Sequence, residues 1–519
     1  MNIKEEIIIA LINETAQTRA DFRRVVANVY RNHNTKGYHS NIELRKTYDK
    51  MVTGREIEPN MGLEKLLITK KMRSLSGVSV ITVLTKPFDC PGKCIYCPTQ
   101  EDVPKSYLAD EPAVMRAILN KYDAKNQVET RLRSLATQGH PIDKIELIVI
   151  GGTFSYLPKD YQEEFILGCF NALNGTESKN LSEAKILNEA SKSRCVGLTL
   201  ETRPDYINEE EVAWFRYLGA TRVELGVQTV FDDILIANAR GEKVADTIRA
   251  TKLLKDAGFK ICYHLMPNLY GSNLKRDKEM FREVFENPEF KPDYIKIYPC
   301  MVIKDTPLFD LWQRGEYQSY TDDDLKDLIK YVKTIVPYYL RIMRTIRDIP
   351  APNIISGSVL SNMRQIVHEE MATEGTKCNC IRCREAGSRA ETEAKNMRMF
   401  IEEYQASGGL EYFLSYEDEK RGTLYSLLRL RLTKGQTIDE KKKCALIREV
   451  HTYGQQVEVG ELGETQHKGL GRKLIAKAEE IAIDNNYSKI AVISGVGVRN
   501  YYRKFGYELV GEYMVKSLD

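Results

Sequence analysis

The sequence predicts an α/β protein: a parallel sheet closed or partly closed as a barrel, then a second and smaller α/β unit, with a helical region ahead of both. Three observations predict it. From about residue 76 to 350, short apolar runs (SVITVLT, IELIVI, CVGLTLE, RVELGVQT, KICYHLM, YIKIYPC, YLRIMRTI) alternate with amphipathic segments such as Ala113 to Leu135 and Asp160 to Leu173, an order that calls for parallel strands joined by helical crossovers. From about 390 to 519, the strand-like runs LYSLLRLRL, ALIREVHTYG and KIAVISG come with helices of their own. Residues 1 to about 75 read as helical, and a chain of 519 residues has material for more than one core.

Composition narrows the function classes. No apolar run reaches membrane-spanning length, and the start MNIKEEIIIALINE is acidic and amphipathic, unlike a basic leader with a cleavage site. A cytoplasmic location with no membrane partner is therefore expected. Eleven cysteines fall into two tight clusters and five singles, which in a reducing compartment means metal binding plus buried thiols. The net charge of +3 says little about nucleic acid, but its distribution says more. From Phe22 to Asn41 the chain carries Arg23, Arg24, Arg31 and Lys36, interleaved with Tyr30, His33, Tyr38 and His39, and no acid. Such a stretch can contact phosphates while its rings stack on unpaired bases; a solvated helix face is the plainer alternative.

The stretch CPGKCIYC follows the first predicted strand and places Cys90, Cys94 and Cys97 within eight residues. Three thiolates hold three irons of a 4Fe-4S cluster and leave the fourth open, whereas an electron-transfer cluster takes four cysteines. A zinc knuckle is the structural alternative. The C-x3-C-x2-C spacing after the first barrel strand, with Tyr96 just before the last cysteine, resembles the radical S-adenosylmethionine superfamily. That resemblance implies a partial TIM-like barrel, S-adenosylmethionine on the open iron, and a reductant as electron donor. It also implies that Gly151 and Gly152, ending IELIVI, meet the cofactor's amino group, with Glu201 and Arg203 of CVGLTLETRP within reach of it.

In the last unit, QHKGLGRKL joins a strand to a helix. Gly469 and Gly471 allow successive backbone amides to point at one anion, and a pyrophosphate suits them. The Q-x-x-G-x-G pattern resembles the acetyl-coenzyme A loop of GNAT acetyltransferases, which implies donor contacts from Gln466, Gly469, Leu470, Gly471 and Arg472. The preceding strand, Glu449, Val450, His451 and Thr452, would then pair with the pantetheine arm. Tyr502 of NYYRKFGYE would stand near the thioester, as a general acid for the departing thiolate or simply as one of a core tyrosine pair.

Both signatures in one chain, with DEPAVMRAILNKYD, IELIVIGGTF, GATRVELGVQT, HLMPNLYGSN, RDIPAPNI, CNCIRCRE and KIAVISGVGVRNYYRKFGYELVG, resemble the family of Elongator catalytic subunits. The complete KCNCIRCRE cluster and the short N-terminal arm suit a stand-alone prokaryotic type; the cysteine triad is more tightly spaced than in eukaryotic members. The resemblance implies modification of the tRNA wobble uridine to 5-carboxymethyluridine from acetyl-coenzyme A, the anticodon stem-loop being the partner. The implied order is hydrogen abstraction from the acetyl methyl, addition to the base, loss of an electron and thioester hydrolysis. Lys144 is placed near the donor by the same resemblance, and Lys296 and Tyr298 point to a strand end without an assigned role. A protein lysine acetyltransferase using the GNAT part alone and a tRNA-binding scaffold without turnover are the rival readings.

The implied division is 1–75 basic and tRNA-binding, 76–350 barrel, 351–389 metal-binding linker and 390–519 GNAT-like domain. In the linker Cys378, Cys380 and Cys383 supply three ligands suited to tetrahedral zinc, as a brace, with a second iron–sulfur cluster the weaker option. His368 is a candidate fourth ligand, though a histidine in RQIVHEEM is more often an ordinary helix residue. Homodimer formation is left open.

Overall fold

The computed structural model describes residues 2–33, 39–67, 78–386, 397–433, 444–453 and 469–519. Its first part is a helical unit of α1 (Ile3–Asn13), α2 (Arg19–Asn32), α3 (Asn41–Thr53) and α4 (Met61–Leu67). At the start of α2 the Thr18 hydroxyl accepts from the Asp21 amide and the Asp21 carboxylate accepts from the Thr18 amide, both at 3.1 Å, satisfying donors that a helix start leaves open. Phe22, Val25 and Val29 share one face and bury it against Ile7, Leu11, Leu44 and Tyr48. Arg23, Arg24 and Arg31 are left on the exposed side. The stretch that is acid-free in sequence is not so in space, because Asp21 and Glu14 lie 3.5 and 3.8 Å from Arg24.

One parallel sheet follows, formed by β1 (Ser79–Leu84), β2 (Lys144–Ile150), β3 (Arg194–Thr202), β4 (Arg222–Gln228), β5 (Lys260–Leu265), β6 (Tyr294–Ile297) and β8 (Arg341–Arg344) in that order. The short β7 (Val302–Ile303) pairs with β9 (Ile354–Ser356) instead. Among the described residues β1 and β8 are the edges of the curled sheet, so it is a half-barrel open on one side. The amphipathic segment expected as one unit is two helices, α5 (Pro112–Leu119) and α6 (Ala124–Thr137), because Lys121 and Tyr122 take left-handed φ angles of 53° and 57° between them. The next crossover helix, Lys159–Asn174, ends on Gly175 at φ 71°.

Side chains alternate across the strands. Ile145, Leu147 and Val149, Val223 and Leu225, Ile261, Tyr263 and Leu265, and Ile295 and Ile297 point outward into one core beneath the helices. Their neighbours Lys144 and Glu146, Arg222, Lys260 and His264, and Tyr294 and Lys296 line the interior. The lumen is therefore polar.

The C-terminal sheet orders β10 (Arg398–Ala406), β11 (Gly409–Glu417), β12 (Leu424–Leu432), β13 (Cys444–Thr452), β14 (Lys489–Val492), then β16 (Tyr513–Ser517) and β15 (Glu508–Val510) at the edge. It is antiparallel except where β13 runs parallel to β14. The helix Leu470–Asp484 packs Leu474, Ile475, Ala478 and Ile481 onto Leu428, Leu430 and Ile447 of this sheet.

This second sheet sits against the N-terminal ends of the barrel strands. A Cβ on Gly495 would come within 2.2 Å of the Val196 carbonyl oxygen, and one on Gly497 within 2.5 Å of the Arg194 Cβ, so backbone meets backbone there. Beside this contact lies a buried charge network. Arg448 grips Asp293, just ahead of β6, through both Nη atoms (2.8 and 2.6 Å) and reaches Glu411 at 2.9 Å. Arg431 joins Glu411 (3.0 Å) to Asp256 (2.5 Å), and Arg429 joins Glu449 at 2.8 Å. Burial opposes ionisation of Asp293, but Arg448, Lys255 and Arg429 outweigh it and hold the carboxyl below its ordinary range. Removing one partner of a buried pair strands the other, so Asp293→Asn is expected to cost about 3–5 kcal/mol in denaturant unfolding of the full chain; a loss under about 1 kcal/mol would mean that the network does not hold the seam.

Candidate active site

The loop after β1 carries the first cysteine cluster. Gly92 is enclosed by it: a Cβ there would lie 3.5 and 3.6 Å from the Cys94 and Cys90 sulfurs and only 2.6 Å from Nη1 of Arg203. Arg203, one residue beyond β3, is fixed by Asp205 (2.9 and 2.8 Å) and by the Arg240 carbonyl (2.8 Å). Its Nη1 is buried with no hydrogen-bond partner and faces the loop. Arg240 donates from Nη1 to the Cys94 sulfur at 3.5 Å and from Nε to Glu242 at 2.8 Å. A hydrogen bond from the Cys97 thiol, assisted by the Arg240 charge, pulls the Cys94 thiol down to about 4. Tyr96 is buried with Ile234, Leu269, Val302 and Leu308, anchoring the loop between Cys94 and Cys97. Three cysteines of one loop bordering the cavity, a thiolate-favouring guanidinium and an unsatisfied donor suit an iron–sulfur cluster on Cys90, Cys94 and Cys97.

Around this loop stand the other residues singled out at strand ends. Gly151 and Gly152 have φ of 138° and 95°, and a Cβ on Gly151 would meet the Thr85 hydroxyl at 2.1 Å, so the turn exists only with glycine. Glu201 accepts from the Tyr107 hydroxyl at 2.7 Å and lies 3.6 Å from Nδ1 of His264.

At the other end of the barrel, β13 and β14 pair only from Cys444↔Lys489 to Ile447↔Val492 and then separate. Glu449, Val450, His451 and Thr452 stay paired to β12 on one edge and line the cavity with the other. The register slips at Arg429/Leu430, and this bulge lets successive side chains, Arg448 and Glu449, both reach the barrel. Glu449 accepts from the Tyr294 hydroxyl at 2.5 Å. Gly469 caps the helix Leu470–Asp484 at φ 74°. A Cβ on Gly471 would be 2.8 Å from the Tyr501 hydroxyl, 3.8 Å from Val450 and 3.9 Å from Thr452. Leu470 and Arg472 line the same space, whereas Gln466 lies outside the described residues.

Of the tyrosine pair, Tyr501 puts its hydroxyl beside the glycine turn. Tyr502 is 6% exposed, packs against Tyr507 and also borders the cavity; burial pushes its phenol well above the usual range. Lys144 faces the lumen with its amine 3.9 Å from Asp143.

A continuous cavity of 1310 Å³ joins the two ends, bordered by the cysteine triad, Gly152, Glu201 and Arg203 above and by Glu449–Tyr453 and Gly469–Arg472 below. Between them runs a charged lumen that the motifs alone did not single out. Its hub is Glu224, which accepts from Nε2 of His264 at 2.8 Å and from the Lys296 amine, with Arg222 3.8 Å away. Burial opposes this charge, but Lys296, His264 and Arg222 hold the carboxyl well below its ordinary range. Alternation of polar residues within otherwise apolar strands (RVELG, KICYH, YIKIY) was the signal for it.

The second cysteine cluster is apart from the cavity's core. The sulfurs of Cys378, Cys380 and Cys383 lie within 4.8 Å of one another, and Nε2 of His368 is 3.1 Å from that of Cys383. The segment ties the barrel to the second sheet: Ile381 donates to the Leu340 carbonyl at 3.0 Å and Arg384 to Glu417 at 2.7 Å.

Fold and cysteine loop together define a radical SAM protein; residues 87–284 match the radical SAM superfamily and 292–373 the radical SAM C-terminal domain. The chain belongs, more narrowly, to the family of tRNA uridine(34) acetyltransferases and Elongator complex protein 3. It is 47% identical over 88% of its length, and 87% of the relative's, to the tRNA uridine(34) acetyltransferase of Methanocaldococcus jannaschii. To Elongator complex protein 3 of Homo sapiens it is 41% identical over 87% and 86% of the two chains. It is also similar to the solved structure of archaeal Methanocaldococcus infernus Elp3 with an N-terminal deletion, at TM-score 0.76 and 42% identity, over 85% of this chain and 99% of that one. No helix among the described residues is long and apolar enough to cross a membrane.

The glycine turn yields a direct test. If the turn holds the acetyl-coenzyme A that the sequence resemblance implies, Gly471→Glu, which adds bulk where the Tyr501 hydroxyl already stands and puts negative charge at the turn, is expected to lower that ligand's affinity at least tenfold by calorimetry; unchanged affinity would remove the turn from donor binding.

Proposed function

We propose that this chain modifies the wobble uridine of tRNA at carbon 5, drawing on S-adenosylmethionine radical chemistry and on acetyl-coenzyme A, to give 5-carboxymethyluridine. The observation that carries the reading is the cavity that joins the cysteine triad to the glycine turn, since a radical made at one end has to act on an acyl group held at the other. The name of the tRNA uridine(34) acetyltransferase relative supplies the nucleic acid and the position of the base.

Cys90, Cys94 and Cys97 would hold the cluster, with Arg203 and Arg240 keeping the loop in place. A cluster with an open iron and S-adenosylmethionine bound to it supplies a carbon radical able to take hydrogen from an unactivated carbon. The Gly151–Gly152 turn leaves room for that cofactor against backbone, and Glu201 faces it from the end of β3. The free edge of Glu449–Thr452 offers amides and carbonyls to a pantetheine arm, and the helix start at Gly469–Arg472 offers amides to the pyrophosphate. Tyr502, kept protonated by burial, can give a proton to a departing thiolate, with Tyr501 beside it. Lys144 would hold the thioester oxygen or a phosphate. Arg23, Arg24 and Arg31 present a basic face to the anticodon stem-loop.

Incubating tRNA, acetyl-coenzyme A, S-adenosylmethionine and a reductant without oxygen, then resolving nucleosides by mass, tests the reading. A carboxymethyl increment at the wobble uridine is expected, lost in Cys94→Ala along with 5'-deoxyadenosine. Acetyl transfer to a lysine surviving that substitution, with no nucleoside product, would favour the acetyltransferase alternative.

Cys378, Cys380, Cys383 and His368 would complete a tetrahedral zinc site that braces the seam. His368→Ala is expected to lower bound zinc, measured by elemental analysis, and to lower the thermal midpoint while the iron content stays the same; full zinc retention would remove His368 as a ligand.

A further inference from the structure

Most charges of the lumen are paired, Lys260 excepted, and one side of the cavity's opening carries a group of cations that are not. Arg116 on α5, Arg131 on α6 and His140 between α6 and β2 all border the cavity, next to Val80 and Thr82 on the free edge of β1. Among the described residues no carboxylate and no hydrogen-bond acceptor meets the Arg116 or Arg131 guanidinium. His140 is 8% exposed and its Nε2 is buried with no partner. Like charge adds to burial: Arg131 makes protonation of both Arg116 and His140 harder. Three cationic or donor groups that repel one another and lack an acceptor form a site awaiting an anion.

Position argues for which anion. The cluster lies where the half-barrel is open, between the edge strands, and α6 packs against α3 of the basic helical unit. The helical unit that carries Arg23, Arg24 and Arg31 on α2 is thus the neighbour of the element that carries Arg131. Arg347, beyond β8, reaches Glu111 at the start of α5 at 2.8 Å and is already taken.

We propose that Arg116, Arg131 and His140 form a phosphate subsite at the lateral mouth of the cavity, taking a backbone phosphodiester of the RNA strand that delivers the target uridine. The inference rests on the tRNA reading above and assigns it a contact. Two guanidinium groups and an imidazole donor suit the fork of a phosphodiester's free oxygens, and such contacts position a strand without reading its bases.

The test is binding of a tRNA anticodon stem-loop to the full chain across a salt series, for wild type and Arg116→Gln/Arg131→Gln. Affinity is expected to fall roughly tenfold or more, and the log–log salt slope to flatten by about 0.7, the share of one single-strand phosphate contact. Arg116→Lys/Arg131→Lys should recover most of both. In stem-loops with one methylphosphonate linkage at a time, one position should weaken wild type but not the Gln variant. Acetyl-coenzyme A affinity and RNA-independent 5'-deoxyadenosine formation should be unchanged in every variant. Unchanged RNA affinity would overturn the proposal, as would a loss of acetyl-coenzyme A affinity alone, which would assign the anion to the donor's phosphates. Failure of wild type to modify tRNA would instead strike the functional reading, so the two failures are distinguishable.

Discussion

The arrangement depends on the buried arginines that fasten the second sheet beneath the barrel. Arg429, Arg431 and Arg448 are fully buried, and their partners Asp293, Asp256 and Glu411 come from both sides of the seam. Each charge would be prohibitive alone; together they are tolerable only in one geometry, because bidentate contacts such as Arg448 to Asp293 fix both distance and angle. A greasy seam would have let the two units slide. The bulge that frees Arg448 to reach Asp293 also turns Glu449 toward Tyr294, so the register of β13, and with it the open edge below the lumen, is set by the same contact.

That placement puts the two candidate binding ends at opposite ends of the same strands. Strand β2 begins with Lys144, near the second sheet, and ends at the Gly151–Gly152 turn beside the cysteine loop. At about 3.3 Å per residue its seven residues span roughly 20 Å. On the proposed reading the acyl arm has to extend up the lumen while the base enters from the side, and the half-barrel's unpaired edges leave such a side. A closed barrel would be filled by side chains; among the described residues seven strands with no pairing between β1 and β8 leave the interior available.

Much of this was legible in the residues. The seven apolar runs are the seven strands, because each carries its core on alternate positions and is bounded by helix-forming segments. The cysteine loop, the Gly151–Gly152 turn and the Gly469–Gly471 helix start were legible because each requires residue types that few other structures need. What escaped notice was set by tertiary contact. Arg240 supports Cys94 from 146 positions away, and nothing local in HLM or RVELG announces that His264 and Glu224 will meet. The break between α5 and α6 was hidden too, since Lys121 and Tyr122 are ordinary helix residues and only tertiary packing makes their left-handed backbone worthwhile.

Charge in the cavity follows a gradient of satisfaction that bears on what can enter it. Deep inside, Glu224 is neutralised by Lys296 and His264, and Arg222 by Glu146 at 2.5 Å. Around Glu224 the matched pairs carry local polarity with little net field, which on the proposed reading suits neutral occupants such as a uracil ring and a thioester, since a bare charge placed among them would be costly to desolvate. At the mouth the balance changes, since among the described residues no acid matches Arg116 or Arg131. On the proposed reading a polyanion is drawn to the opening by unpaired charge and its backbone is held there, while only the uncharged base is admitted further. Separation of phosphate from base is then a property of where the fold leaves its cations unpaired.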